Sequence, residues 1–342
     1  MNLGIDLGTS RIVISDPARG VVLDEPSVVA VAQKDGRLIA FGREAEEMLG
    51  RNPDTIRVVR PVQKGVIAEY ELTEQLLRRC LAKVCSARII KPCVAVSVAE
   101  KVTEVEQRSF IEAVISAGAR KVTLVPETVA AAIGAGVDVS RPLGQMVLNA
   151  GGGTVDVSVL SLKGEAVSSS MRVAGQAMDE AVVRYIRAQY GLMISESTAE
   201  RLKIEIGCAL PVEPILTAET KGRDSISGLP RSVMVTSDEV CEAIREPLQS
   251  LLDLIQQVLE ITPPELAGDI FTEGIHLTGG LAQLRQLPLL IEHATGISCR
   301  VAKKPHQCVA IGAGMALKYA SSFSAVYDLG SFSYRLSDNV TN

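Results

Sequence analysis

The sequence predicts an α/β fold built as two related domains that face each other across a cleft. Strand-like and helix-like patterns alternate along the chain, which is the signature of α/β architecture. The pattern restarts near residue 145, and 342 residues exceed what one hydrophobic core usually organises.

The first 35 residues read as strands. LGIDL (3–7), RIVIS (11–15), GVVLDEP and SVVAVA are rich in β-branched residues and are punctuated by Gly8, Pro17, Gly20 and Pro26. LTEQLLRRCLAKVC is helical, with Leu76, Leu77, Cys80, Leu81 and Val84 on one face. VAVSVA (94–99) is a short buried strand. Thr103 and Glu106 form a capping box that opens the next helix, with Val105, Ile111, Val114 and Ile115 expected inward and Gly118 as its stop. KVTLVP (121–126) is another strand, and PETVAAAIGAG begins a small-residue helix.

QMVLNAGGGTVDVSVLSL (145–162) then repeats the strand, glycine turn and strand of GIDLGTSRIVIS. Gly4–Thr9 and Leu148–Thr154 share one logic: an apolar strand, an Asp or Asn, glycine, then threonine. Helices are expected at about 177–190 and 198–207, and a long one at about 238–260. That long helix is capped by Thr236 and Glu239, kinked at Pro247 and ended by Pro263 and Pro264. GIHLTGG (274–280) is a strand running into a glycine turn, and CVAIGAGMALKYA (308–320) is a closing helix.

Composition excludes several functions. Thirty-five basic against 40 acidic residues leave a charge of −5, the wrong sign for an electrostatic nucleic-acid binder. Without tryptophan and with 3% aromatics, the chain lacks a stacking platform for single strands. No apolar run is long enough to cross a bilayer. MNLGIDLGTS enters a strand pattern directly, so no signal peptide is expected and the chain is placed in the cytosol. The seven cysteines form no C-x-x-C pair and lie mostly far from the three histidines. They read as small apolar fillers, not zinc ligands.

The chemistry concentrates in three glycine turns, each after a strand: Asp6-Leu7-Gly8-Thr9, Gly151-Gly152-Gly153-Thr154 and Thr278-Gly279-Gly280. Glycine lets backbone N–H groups approach an anion, and threonine hydroxyls add donors. Asp6 lies inside an apolar strand, where a carboxylate without a partner is costly.

These turns, with VLDEPSVVA, RPVQKGVIA, VPETVAAAIGAG, AERLKIEIG, KGRD-x-x-x-GLP and CVAIGAGMAL, resemble the MreB-like branch of the actin-like ATPases from residue 4 to about 317. The resemblance implies an actin-like fold. Residues 1–141 form domain I, completed by a C-terminal helix at about 316–342, and residues 142–315 form domain II. It also implies ATP or GTP with Mg²⁺ as cofactors. Asp6 would hold the metal through water, with Gly8, Thr9, Ser10 and Arg11 beside the terminal phosphates. Gly151, Gly152, Gly153 and Thr154 form the second phosphate loop, with Asn149 at its base. Glu127 orients the attacking water, Glu200 and Lys203 clamp the nucleoside, and Gly279 and Gly280 pass close to it. Simpler roles stay open: Glu200 also completes a capping box from Ser197, Glu127 suits a helix start, and Lys203 suits a solvated helix face.

The chain departs from that branch at telling places. Asn149-Ala150 stands where Asp-Ile is usual, which removes a charge and a proton acceptor. Ser10-Arg11-Ile12 replaces Ala-Asn-Thr, Leu281 follows Gly279 and Gly280 in place of glycine, and Gln176 replaces an acid. The resemblance therefore implies nucleotide binding with weakened hydrolysis. Ile89 and Ile90, between Arg88 and Lys91, match the branch's membrane-inserting loop, or they begin the following strand.

The partners implied are further copies in a filament, the anionic inner face of the cytoplasmic membrane, the wall-elongation machinery and MreB paralogues, with no nucleic acid. The function implied is a peripheral cytoskeletal filament that directs wall elongation and rod shape. The alternatives are a binding-only paralogue that copolymerises with a more active one, and a small-molecule kinase of the same superfamily.

Overall fold

The computed structural model describes residues 1–85, 91–317 and 326–328. The chain divides into two compact units, Met1–Arg141 with His306–Asn342, and Pro142–Pro305.

The first unit is built on a sheet in which Asn2–Leu7 is central. Arg11–Asp16 and then Gly20–Pro26 follow antiparallel on one side, and Cys93–Val98 and Lys121–Pro126 run parallel on the other. Val326–Asp328 adds an antiparallel edge to Lys121–Thr123, a strand where a helix over about 316–342 is expected; the rest of that span beyond residue 317 lies outside the described residues. Parallel strands need crossover helices, and Tyr70–Val84 and Glu104–Ser116 have the amphipathic sequences to supply them. Leu76, Leu77, Cys80, Leu81 and Val84 are all buried, as their spacing predicts. Thr103 and Glu106 form the expected reciprocal capping box. Val105 does not face inward: it is 76% exposed. At about 100° per residue it lies diametrically opposite Val114 on the helix, and the buried stripe is Phe110, Ile111, Ala113 and Val114.

The small-residue helices of this unit have a packing cause. Glu127–Ala135 and Cys308–Ala316 cross at backbone contact: a Cβ on Gly312 would lie 1.7 Å from the Ala130 carbonyl oxygen. Cys308–Ala316 also presses on the central strand, where a Cβ on Gly4 would lie 2.1 Å from the Gly314 nitrogen. The chain therefore rejoins the first unit at His306, not after residue 315, because this helix is shaped to lie on that sheet. Of the expected helix over 308–320, residues 318–320 lie outside the described residues.

The second unit repeats the plan. Gln145–Ala150 is flanked by Val155–Ser161 and Gly164–Met171 antiparallel on one side, and by Ile275–Thr278 and Cys299–Val301 parallel on the other. Its core includes Met146, Leu148, Val159, Met178 and Ile255. The long helix expected at about 238–260 is two helices, Ser237–Ala243 and Arg245–Ile261. Pro247 has no N–H to give the Ala243 carbonyl, so the first helix stops there, and Pro247 falls in the first turn of the second, where no such donor is needed. Thr236 and Glu239 form the expected capping box. The helix Glu196–Ile206 is capped by Ser195, whose Oγ accepts from the Thr198 amide at 3.3 Å, so Glu200 completes no capping box from Ser197. Among the described residues no helix is long and apolar enough to cross a membrane.

Candidate functional site

Each unit presents one glycine hairpin at the end of its central strand, and the two are built alike. Gly8 donates its amide to the Arg11 carbonyl at 3.0 Å, and Gly151 donates to the Thr154 carbonyl at 2.9 Å. That equivalence aligns Asp6 with Asn149, Thr9 with Gly152 and Arg11 with Thr154, so the threonine matched to Thr9 by sequence order is not its structural counterpart. Among the described residues the amides of Thr9, Ser10, Gly152 and Gly153 reach no protein acceptor. Each turn thus offers two adjacent backbone donors, the arrangement that holds anions.

The first hairpin is fastened from behind. Ser27 donates its hydroxyl to the Gly8 carbonyl at 2.7 Å and its amide to the Ser10 carbonyl at 2.9 Å. The Thr9 hydroxyl accepts from the Gly65 amide at 3.0 Å, which leaves its own proton free to point elsewhere. Asp6 is half-buried at the strand's end. Burial pushes its carboxyl up to about 7, against a hydrogen bond from Ser97, and the charge of Asp24 raises it further. The register explains that last effect: Asp6 pairs with Val13 and Val13 with Asp24, so both acids share one face of the sheet on either side of a valine.

Arg11 does not stand free beside the turn. Its Nε donates to Asp24 Oδ1 at 2.7 Å and its Nη2 to the Asp24 carbonyl at 3.2 Å. Burial would raise the Asp24 carboxyl, but the Arg11 hydrogen bond and charge, with Gln307 and His306 adding to them, hold it below the ordinary value. Glu127 is the first residue of its helix, two strands across the same sheet, and the next residue, Thr128, donates to Glu100 Oε1 at 2.6 Å.

In the second unit, Asn149 is buried and lies directly opposite Asp156, which is fully buried. Directly opposed residues of an antiparallel pair share a face about 5 Å apart, so the loss of charge at 149 avoids two adjoining buried carboxylates. The Thr278 hydroxyl donates to Asn149 Oδ1 and the Leu148 carbonyl, 3.2 Å each. Gly279 follows at φ +84°, and a Cβ there would sit 2.2 Å from the Ala150 carbonyl oxygen. Gly280 is exposed.

Lys203 is an anchored residue. Its Nζ lies 2.7 Å from Asp179 Oδ1 and donates to the Gly175 carbonyl at 2.9 Å, with both side chains nearly buried. Gly175 and Gln176 in turn donate their amides to the carbonyls of Gly151 and Gly152, at 3.2 and 2.8 Å. Glu200 lies half-buried one turn before Lys203 on the same helix. The glycine loop, the start of the helix Gly175–Tyr190 and the Lys203 helix are therefore one bonded assembly.

Sequence reasoning missed Asp24, Asp156 and Asp179. Asp24 and Asp156 announce themselves only once strand register is known. Asp179, one turn into a helix after a glycine, carried a signal that could have been read. Ile89 and Ile90 lie outside the described residues. All seven cysteines are free thiols, and burial pushes Cys80 and Cys299 up to about 12, as befits fillers.

Paired sheets of one topology, each ending its central strand in an anion-ready hairpin, define the actin-like class. Comparison with known proteins agrees: a structure of the MamK double helical filament matches with a TM-score of 0.79 over 92% of this chain and 98% of that one, at 20% identity. The MreB/Mbl protein family profile matches residues 1–325, and the chain belongs to that family. Cell shape-determining protein MreB of Escherichia coli K12 is 44% identical over 323 residues, 93% of each chain. Cell shape-determining protein Mbl of Bacillus subtilis is 41% identical over 317 residues, covering 92% of this chain and 95% of that one. The crystal structure of MreB5 of Spiroplasma citri bound to ADP matches with a TM-score of 0.88 and 32% identity, covering 93% of this chain and 96% of that one.

Proposed function

We propose that this chain is a nucleotide-binding cytoskeletal protein that polymerises beneath the cytoplasmic membrane and directs cell-wall elongation and rod shape. The observation that carries the reading is the pair of matched hairpins, each with two open amides, in a chain alike over most of its length to proteins named for determining cell shape. The nucleotide is ATP, in keeping with the ADP and AMPPNP bound to the two similar Spiroplasma structures.

Gly8, Thr9, Ser10 and Arg11 take the terminal phosphates, Gly151, Gly152, Gly153 and Thr154 form the second loop, and Glu200, Lys203, Gly279 and Gly280 hold the nucleoside. Asp6 fits Mg²⁺: its carboxylate is disfavoured by burial, and a cation is what would hold it ionised. The metal neutralises phosphate charge, which with positioning is most of what phosphoryl transfer needs. Glu127 orients water. Asn149 accepts no proton, so hydrolysis is slow and nucleotide acts mainly as an assembly ligand.

Polymerisation supplies the avidity that a short membrane loop at Ile89 and Ile90 needs, and anionic headgroups suit its basic flanks. Other copies, MreB paralogues and the wall-elongation machinery are the partners.

Electron microscopy of the purified chain on anionic lipid monolayers, with and without Mg²⁺ and ATP, tests the reading. Filaments lying on the lipid only with nucleotide are expected. Bare lipid in both conditions, with nucleotide still bound, would instead make the chain a regulator that polymerises only with a paralogue.

A further inference from the structure

The chain passes between its two units for the second time at Pro305–His306, and this crossing is gripped within each unit by residues next to a glycine turn. Within the second unit, the Pro305 carbonyl accepts the Gly279 amide at 2.9 Å. Within the first, Gln307 Nε2 donates to Asp24 Oδ2 at 3.2 Å, and His306 Nε2 lies 3.4 Å from the same oxygen. The other carboxylate oxygen of Asp24 holds Arg11 at 2.7 Å. Asp24 therefore bridges the end of the first hairpin and the crossing.

We propose that Asp24 is a positioning residue that aims Arg11 at the phosphates and carries the occupation of the first hairpin to residues 305–307. The proposal rests on the nucleotide-binding reading above. Arg11 spends one edge of its guanidinium on Asp24, while its Nη1 reaches no protein acceptor among the described residues and its side chain is 40% exposed. A planar fork oriented along one edge presents its remaining donors in a fixed direction, which suits a phosphate oxygen. An anion drawing on those donors polarises the Arg11–Asp24 bond, and in a linked chain of hydrogen bonds that change reaches the Asp24 bond to Gln307. Lysine at position 11 would keep the charge but lose the fork.

The test is hydrogen exchange on the full chain with Mg²⁺ plus saturating ADP or adenosine, reading the segment 303–308. ADP is expected to slow exchange there about tenfold, and adenosine, which lacks phosphate, to leave it unchanged. In Asp24→Asn and Arg11→Lys, at ADP concentrations shown to be saturating by displacement of a fluorescent ADP analogue, the slowing is expected to disappear. The double variant His306→Ala, Gln307→Ala cuts the bridge from its far side and predicts the same loss should Asp24→Asn fail to fold. Slowing that persists in Asp24→Asn or in that double variant overturns the proposal, as does an unresponsive 303–308 segment in wild type that binds ADP. A wild-type chain that binds no ADP at all would instead bring down the functional reading itself.

Discussion

The two hairpins share a backbone and differ in where they keep their acids. In the first unit the acids sit on the outer strands of the triplet, Asp6 and Asp24, with Val13 between them. In the second, the acid sits in the middle, Asp156, with Asn149 on one side and Ser170 on the other. One arrangement leaves a carboxylate at the strand's end that a cation can satisfy, and the other leaves a neutral amide there. The two hairpins are thus alike in backbone and unlike in charge, and under the proposed function the first is the half that depends on a metal. The supporting ion pairs differ in the same sense. Arg11–Asp24 is partly exposed, whereas Lys203–Asp179 is nearly buried.

The largest test of this difference is Asp6→Asn, expected to weaken Mg²⁺-nucleotide binding on the order of a hundredfold, read by calorimetry. The same substitution should stabilise the nucleotide-free chain. Asp6 has its carboxyl raised from 3.8 to about 7 in the folded state, so the folded state binds the proton more tightly than the unfolded one. The stability this lends is complete below the unfolded value and is lost as pH rises through about 7. The mutant should therefore melt higher than wild type at pH 8, and the gap should close towards pH 4. A gap independent of pH would remove the claim that Asp6 is held ready for a cation.

Next in size is Lys203→Ala, which removes a nearly buried cation 2.7 Å from Asp179 Oδ1 and should cost about 3 kcal/mol in denaturant unfolding. Arg11→Ala, at the more exposed pair of the first unit, should cost less than about 1 kcal/mol. Equal costs would erase the contrast between the two supports. Asn149→Asp places two carboxylates opposite each other in a buried pair and should cost about 2 kcal/mol. Adding Asp156→Asn should return most of that loss, because the double exchange restores one acid and one amide. A double mutant no better than the single would mean the register does not explain Asn149. The caps form a matched pair: Thr103→Ala and Thr236→Ala should each cost about 1 kcal/mol, alike in the two units because each removes the same capping box.

Much of this was legible in the sequence wherever the signal is local. The apolar stripe from Leu76 to Val84, the two capping boxes and the glycine turns are patterns within a dozen residues, and each is where its pattern puts it. Val105 faces out, as the helical period itself requires, since it lies on the opposite side of the helix from Val114. The break before Pro247 needed the donor accounting of the preceding helix as well as the presence of a proline. What the sequence hid is what the sheet brings together. Asp24 meets Arg11, and Asp156 meets Asn149, across strand registers that no local pattern states. Lys203 suits a ligand or a solvated helix face by sequence, and its nearly buried bond to Asp179, which joins positions in two different helices, excludes only the solvated face.

The most direct measurement is calorimetric titration of ATP into the wild-type chain with Mg²⁺ present and with Mg²⁺ chelated. Tight binding is expected with the metal and a loss on the order of a hundredfold without it, since of the two hairpins only the first carries an acid at its strand end. Binding of equal strength in both conditions would contradict the division of labour between the two hairpins.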